Sequence, residues 1–460
     1  MRFSTIAAIS TPRGKGGVAL IRVSGPLSKT VADRVLKPAA SRAFSSFSPR
    51  CAVYCEILSP KDGRVIDDGI ATFFAAPHSF TGEDVVEIGC HGGETVSLLV
   101  LQACLDAGCV MAGPGEFSRR ALMNGKLSLT AAEGIADLLD AKTEEGAILA
   151  SAAARGKLSE KLTDVSERLL AAAASLWAYL DYPEEDLQSF SDDALCEELR
   201  SIREEVDALI ATFRTGRAVS QGVKTLIVGK PNVGKSTFFN LLVGEDRAIV
   251  TDIPGTTRDL IELPVRAGKV LLNLIDTAGL RSFTEDTVEK IGMEKVEEEL
   301  KSAELVFALF DPSRPFDRDD ESLITMLKNS EAAVFPVLNK KDLPALWGKE
   351  KIAALGGEAV SLSAADPESC KIIFERVEKD FIPDEKRLYS GAVITNLRQK
   401  ARLENLSENL SEAVGHIRSG AKDLASLDLE NAVAQLNEAD GKGASERILD
   451  EVFSRFCVGK

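Results

Sequence analysis

The sequence predicts a multidomain chain of α/β plus α class: an N-terminal α+β domain, a helical domain, and a Ras-like P-loop α/β domain inserted within the helical one. Three observations predict it. A complete phosphate loop, Gly229-Lys230-Pro231-Asn232-Val233-Gly234-Lys235-Ser236, lies in the middle of the 460 residues. Leucine-rich stripes of helical period flank that middle on both sides, and short β-like runs with glycine-rich punctuation fill the start of the chain. The expected boundaries are 1–120 for the N-terminal domain, 121–218 and 383–460 for the two parts of the helical domain, and 219–382 for the inserted one.

The context of the phosphate loop makes it more than a string match. Leu226-Ile227-Val228 before it reads as a buried strand, and Thr237-Phe238-Phe239-Asn240-Leu241-Leu242 after it as an amphipathic helix. Glycines let backbone N–H groups close around phosphate oxygens, and the helix N-terminus adds partial positive charge. Lys235 reaches the outer phosphates, and the Ser236 hydroxyl is suited to Mg²⁺.

Further nucleotide elements follow in order. Asp276-Thr277-Ala278-Gly279 comes after the apolar run Val270–Ile275, which sets a carboxylate at a strand end near Mg²⁺ and the Gly279 N–H toward the γ-phosphate. Asn339-Lys340-Lys341-Asp342 follows the run Ala333–Leu338 and is an N-K-x-D element. The Asp342 carboxylate can accept both the ring N–H and the exocyclic amine of guanine, a donor pair that adenine lacks, so GTP is expected over ATP. Ser361-Leu362-Ser363-Ala364 resembles the last base-contacting loop of such domains. The expected GTP contacts are therefore Asn232, Val233, Gly234, Lys235, Ser236 and Thr237, then Thr251, Thr256 and Thr257, then Asp276, Thr277, Ala278 and Gly279, and finally Asn339, Lys340, Asp342, Ser363 and Ala364.

Thr251-Asp252-Ile253-Pro254-Gly255-Thr256-Thr257-Arg258-Asp259 occupies the place of the first switch, with Thr257 the expected second Mg²⁺ ligand. Leu280 stands where Ras-like enzymes keep a water-orienting glutamine, and leucine has no polar atom for that task. Hydrolysis therefore needs another group. The following run, Glu285-Asp286-Thr287-Val288-Glu289-Lys290-Ile291-Gly292, offers carboxylates.

Composition narrows the remaining classes. A formal charge of −16 argues against a broad basic face that coats nucleic acid, so any RNA contact is local or shared with a partner. No run reaches the roughly 18 to 20 apolar residues of a membrane span, and Met1-Arg2-Phe3-Ser4-Thr5 has no signal-peptide layout. A cytoplasmic location, with no membrane partner, is expected. The eight cysteines have no paired C-x-x-C framework, as expected of reduced thiols. Cys51-x-x-x-Cys55 and Cys90-His91 raise the question of metal, but with three histidines in the chain neither spacing fits a closed zinc site, and core cysteines are expected.

Residues 157–216 read as helix, with Leu158, Leu162, Val165, Leu169, Ala173, Leu176 and Leu180 on one stripe. A matching stripe returns in Leu403, Leu406, Leu410, Val414 and Ile417, and the two are expected to pack on each other. Pro183-Glu184-Glu185-Asp186 and Ser419-Gly420 mark breaks. In the N-terminal part, Thr11–Gly17, Ser79–Asp84 and Gly113–Ser118 are glycine-rich loops between strands, and the residues alone leave both plain turns and a binding role open.

Several segments carry a family resemblance: Thr5–Gly17, Phe80–Ile88, Gly115–Ala121, Asn124–Leu127 and the terminal Phe456-Cys457-Val458-Gly459-Lys460. Together they resemble the MnmE (TrmE) family of tRNA-modification GTPases over the whole chain, and the terminal C-[ILV]-G-K with an embedded GTPase is highly specific to it. The resemblance implies a homodimer built by N-terminal domains and a folate site at their junction holding a 5-formyl- or methylene-tetrahydrofolate. It also implies a flavoprotein partner, MnmG, and addition of a carboxymethylaminomethyl-type group at C5 of the tRNA wobble uridine. Folate contacts carried over by motif fall on Arg22, Glu87, Lys126 and Lys460. Cys457 is the implied catalytic thiol, although a packing role stays open.

The same resemblance implies activation by pairing of two GTP-bound domains across K⁺, with ligands at Asn232, Thr251, Ile253 and Thr256, and a water-activating carboxylate at Glu289. This chain departs from the family spacing by one residue between Arg281 and Val288. Two other readings stay in play: a ribosome-assembly or RNA-chaperone GTPase, and a G protein acting only as a switch. Glu289→Ala is expected to cut GTP turnover by roughly 10²-fold, about 2.7 kcal/mol of barrier, with GTP affinity retained. Glu285→Ala should do much less, and single-turnover hydrolysis of both variants decides the register.

Overall fold

The computed structural model describes residues 4–12, 14–181, 191–247, 262–275, 299–384, 392–443 and 445–459. The chain divides into two compact units, one of residues 1–136, 153–200 and 408–460, the other of 137–152 and 201–407. It is a multidomain protein of α/β plus α class. No helix among the described residues is long and apolar enough to cross a membrane.

The first unit opens with a seven-stranded sheet in the order β3-β4-β5-β6-β2-β1-β7. Its strands are β1 (Ile6–Ile9), β2 (Val18–Ser24), β3 (Leu36–Pro38), β4 (Ala52–Leu58), β5 (Val65–Phe74), β6 (Val85–His91) and β7 (Val110–Met111). Pairing is antiparallel throughout except β1 with β7. Successive side chains alternate between faces. One set, including Ala19, Ile21, Val23, Val86, Ile88, Val53, Ile57, Ala71 and Phe73, is buried with apolar residues of α1 (Ser28–Val35) and α2 (Glu94–Asp106). Cys55 and Cys90 belong to this core, where burial pushes both thiols up to about 11, whereas Cys51, just ahead of β4, is exposed and not the core cysteine expected. The other set, on the face away from α1 and α2, includes Val18, Arg22, Tyr54, Ile70 and Glu87.

The helices of this unit include α3 (Glu116–Met123) and α6 (Lys157–Asp181); α4 (Leu129–Asp140) and α7 (Asp192–Ile210) begin in it and run on into the second unit, and α5 (Glu144–Ala154) belongs mostly to the second unit. After α8 (Phe213–Ser220) and the nucleotide fold, the chain returns through three more helices described below. On α6, Leu158, Leu162, Val165, Leu169, Ala173 and Leu176 are buried, while Leu180 is only half-buried. Their principal partner differs from the expected one. The stripe lies along Lys422–Asp440 rather than along Leu397–Ser419. Gly420, at φ +83°, reverses the chain after Ser419, and the returning helix offers Ala425, Leu429, Ala432, Leu436 and Ala439, a stripe of alanines and leucines that permits close approach. Period identifies the buried face of a helix but not the face it meets.

The second unit holds a six-stranded sheet, β13-β12-β11-β8-β10-β9. These are β8 (Val223–Gly229), β9 (Glu262–Ala267), β10 (Val270–Ile275), β11 (Leu305–Phe310), β12 (Ala333–Leu338) and β13 (Val360–Ser361), all parallel except β9. Both faces are covered, so its strands read as unbroken apolar runs. Ile227, Phe307 and Leu309 enter one core with Phe238 of α9 (Lys235–Arg247), and Leu226, Val306 and Phe310 enter the other with Ile324 of α10 (Arg318–Lys328). Phe307 is edge-on to Phe238 at 5.3 Å and to Phe335 at 5.2 Å. The remaining helices are α11 (Ser369–Phe381), α12 (Leu397–Ser419), α13 (Lys422–Asp440) and α14 (Glu446–Ser454).

Leu429→Ala, at a fully buried position of α13, is expected to cost about 2–5 kcal/mol in denaturant unfolding. Leu427→Ala, at a site 54% exposed two residues earlier, should stay within about 0.5 kcal/mol.

Candidate nucleotide-binding site and a polar site on the N-terminal sheet

Parallel strands expose their C-terminal ends as one edge, and ligands of such sheets sit where the connections diverge. β8 is that point here, with β10 on one side and β11 on the other. Its end continues into the phosphate loop. Gly234 takes φ +102°, and a Cβ there would collide with Nδ2 of Asn339, so the position needs glycine twice over. Asn232 takes φ +58° and is exposed, Val233 is buried, and Ser236 and Thr237 stand exposed at the start of α9. The Lys235 ammonium is held over the loop by the carbonyls of Gly229 (2.7 Å) and Lys230 (2.9 Å), and its burial lowers the pKa.

Asn339 joins this loop to the base-reading segments. It is 2% exposed; its Nδ2 donates to the Val233 carbonyl at 2.8 Å, and its Oδ1 accepts from the Ala364 N–H at 2.8 Å. Lys341 N–H donates to the Leu362 carbonyl at 3.0 Å, which draws Asp342 up to Ser363. The Ser363 hydroxyl hydrogen-bonds the exposed Asp342 carboxylate and is the main reason its pKa lies below the ordinary value. Asn232, Val233, Lys235, Asn339, Lys340, Asp342, Ser363 and Ala364 thus meet along one sheet edge.

Two lysines brace the loop through ion pairs that its motif does not make evident. Lys340 Nζ bonds the Asn232 carbonyl at 2.9 Å and the Asp311 carboxylate at 2.6 Å. Burial raises the Asp311 pKa, but hydrogen bonds from Lys340 and Ser313 outweigh it and the carboxyl ends below its ordinary value. Lys230 Nζ bonds Asp317 at 2.7 Å and Asp320 at 2.8 Å, the capping box of α10. The only sequence signal for Asp311 is a carboxylate directly after an apolar strand of the nucleotide sheet. Thr251, Ile253, Thr256, Thr257, Asp276, Thr277, Ala278, Gly279, Leu280, Glu285, Glu289 and Lys460 lie outside the described residues.

A second polar site lies on the outward face of the N-terminal sheet. Arg22 and Glu87 are directly opposed in the β2/β6 register. Arg22 Nε (2.9 Å) and Nη2 (2.8 Å) both donate to Glu87 Oε1, and the guanidinium lies 5.5 Å from the Phe80 ring centroid and 5.7 Å from that of Phe117. Glu87 Oε2 accepts from no described residue. Lys126 is exposed, its stem against Gly82. The chain's C-terminal residues seat in the same unit. Val458 forms a bridge with Pro114, and Ser10 Oγ donates to the Gly459 carbonyl at 2.9 Å. Phe456 is buried there while Cys457 is exposed.

Sheet, phosphate loop and guanine-type base site define a multidomain P-loop GTPase. The family described as MnmE helical domain matches residues 129–457, and that described as GTP-binding protein TrmE N-terminus matches 5–126. The tRNA modification GTPase MnmE of Heliobacterium modesticaldum is 40% identical over 99% of this chain and 99% of its own. Those of Thermotoga maritima (38%, covering 99% and 100%) and Geobacillus kaustophilus (37%, covering 100% and 99%) are similar to it as well. The chain belongs to the MnmE family.

Asp342→Asn should move base preference from guanine toward xanthine, because the amide presents a donor where guanine also presents one; competition binding with GDP and XDP measures it. Asp311→Asn frees Lys340 from its buried partner and should weaken GDP binding by about tenfold without changing that preference.

Proposed function

We propose that this protein is a potassium-dependent GTPase of tRNA wobble-uridine modification. It acts with the flavoprotein MnmG and takes a one-carbon unit from a tetrahydrofolate derivative. The observation that carries the reading is the base site of Asn339, Asp342, Ser363 and Ala364 set against the phosphate loop, in a chain that matches, end to end, relatives named tRNA modification GTPase MnmE.

GTP hydrolysis needs positive charge beside the phosphates and a positioned water. Lys235 supplies one charge, and Ser236 at the N-terminus of α9 suits Mg²⁺ together with Thr257. Asn232 suits a monovalent cation: its backbone carbonyl is tied to Lys340, its carboxamide bonds no described residue, and the side chain is exposed. K⁺ bound there would add the charge that an arginine finger supplies elsewhere. Thr251, Ile253 and Thr256 complete its proposed ligands, and Glu289 is the proposed water-orienting group.

The Arg22–Glu87 pair suits a reduced pterin. Glu87 Oε2 is free to accept from an amino-pyrimidine edge, Phe80 and Phe117 flank the guanidinium, and the exposed Lys126, with Lys460, suits glutamyl carboxylates. The exposure of Cys457 favours a chemical role over a packing one. Val18, Tyr54 and Ile70, at 68%, 55% and 55% exposure on the outward sheet face, fit a homodimer formed by N-terminal domains.

Modification status is the direct test. Wobble uridines of tRNA from a strain lacking this protein should lose the carboxymethylaminomethyl-type group, seen by mass spectrometry of nucleosides. Unchanged uridines would reject the reading in favour of a ribosome-assembly role. Replacing K⁺ with Na⁺ should slow GTP hydrolysis by about tenfold or more while leaving GTP binding nearly intact, and equal rates in the two salts would remove the ion from the mechanism.

A further inference from the structure

Next to the Arg22–Glu87 pair lies a buried cluster of charge that none of the motifs explains. Arg120 of α3 is 3% exposed. Its Nη1 donates to both Glu83 oxygens, at 3.1 and 3.4 Å, and to the Ser4 carbonyl at 2.8 Å. Its Nη2 donates to Glu116 Oε1 at 2.7 Å. Two carboxylates, 14% and 29% exposed, thus share one buried guanidinium, an arrangement that is costly unless the groups find further partners. Both carboxylates have further donors. Glu83 Oε2 accepts from Ser24 Oγ at 2.7 Å, the Ser24 and Thr81 hydroxyls meet at 2.8 Å, and Glu116 Oε2 accepts from the Gly113 N–H at 2.8 Å.

The two carboxylates face different parts of the N-terminal site. On the Glu83 side are the end of β2 and the 79–84 loop that carries Phe80. Asn124 Nδ2 donates to the Thr81 carbonyl at 2.7 Å and ties in the turn leading to Lys126. On the Glu116 side is the Gly113-Pro114-Gly115 turn, whose Pro114 pairs with Val458 of the C-terminal tail. Phe117, on the same helix as Arg120, is one of the two rings beside Arg22.

We infer that Arg120 is a positioning residue for the N-terminal ligand site, with Glu83 holding the wall that carries Phe80 and Glu116 holding the seat of the C-terminal tail. The inference rests on the proposal that this site takes a tetrahydrofolate. It assigns Arg120, Glu83 and Glu116 no contact with the ligand. Their effect passes through Phe80, Phe117, Lys126 and the tail. A fork of five N–H donors can brace two carboxylates at once, which an ammonium cannot.

Four proteins test it: the full-length wild type, Glu83→Gln, Glu116→Gln and Arg120→Lys. Calorimetry with 5-formyltetrahydrofolate reads the wall, and amide hydrogen exchange of the peptide covering residues 455–460 reads the tail. Thermal unfolding followed by circular dichroism, with a cooperative transition and wild-type helix content in all four, verifies folding. Glu83→Gln should weaken folate binding by about tenfold or more with tail exchange unchanged, Glu116→Gln should speed tail exchange by about tenfold, and Arg120→Lys should do both. Wild-type folate affinity in Glu83→Gln and Arg120→Lys would overturn the inference and leave the folate reading standing. Equal changes of both readouts in the two Gln variants would also overturn it, since general loosening would then explain them. No folate binding by the wild type would overturn the folate reading itself, and the inference with it.

Discussion

The nucleotide site depends on one buried carboxamide. Asn339 donates to the phosphate loop through Nδ2 and accepts from the Ala364 N–H through Oδ1, so the loops after β8, β12 and β13 are held at a common distance by a single planar group. At 2% exposure it has no water to fall back on, and losing either partner would leave a buried polar atom unmet. The requirement for glycine at 234 follows from the same contact, because the amide fills the space a side chain would need.

Around that amide, charge is arranged to stiffen loops as well as to meet a ligand. Lys340 and Lys230 each bridge the phosphate loop to carboxylates at the C-terminal end of β11 or at the start of α10. Fixed dipoles and paired ions of this kind need little reorganisation when phosphate arrives. The N-terminal unit uses the same device on an antiparallel sheet. Strict alternation puts an apolar set against α1 and α2 and leaves Arg22 and Glu87 on the opposite face, where their facing register makes them a pair.

The two sheets differ in how openly they announce themselves. A parallel sheet covered on both faces needs long apolar runs, and β8, β10, β11 and β12 are visible as such, each ending in a polar motif. The N-terminal sheet has one face open, and its polar positions are spread over strands distant in the chain. In sequence its glycine-rich loops read as plain turns or as a binding site; in the fold Asn124 bonds the Thr81 carbonyl in one of them and Val458 pairs with Pro114 in another.

What the sequence by itself determined is whatever local chemistry encodes: the strand, loop and helix of the phosphate site, the base-reading N-K-x-D element, the helical stripes, and membership of the MnmE family through motifs spread along the chain. These are short-range patterns, since backbone geometry and ligand chemistry dictate residue types within a few positions. The tertiary structure alone decided which surfaces meet. Nothing in the stripe of α6 distinguishes α13 from α12 as its partner, and only the reversal at Gly420 settles it. Likewise Asp311 for Lys340, and Glu83 and Glu116 for Arg120, are carboxylates among 71 acidic residues, singled out only when folding removes the water between them and their partners. Long-range pairing costs chain entropy that only the whole core repays, so no local window carries its record.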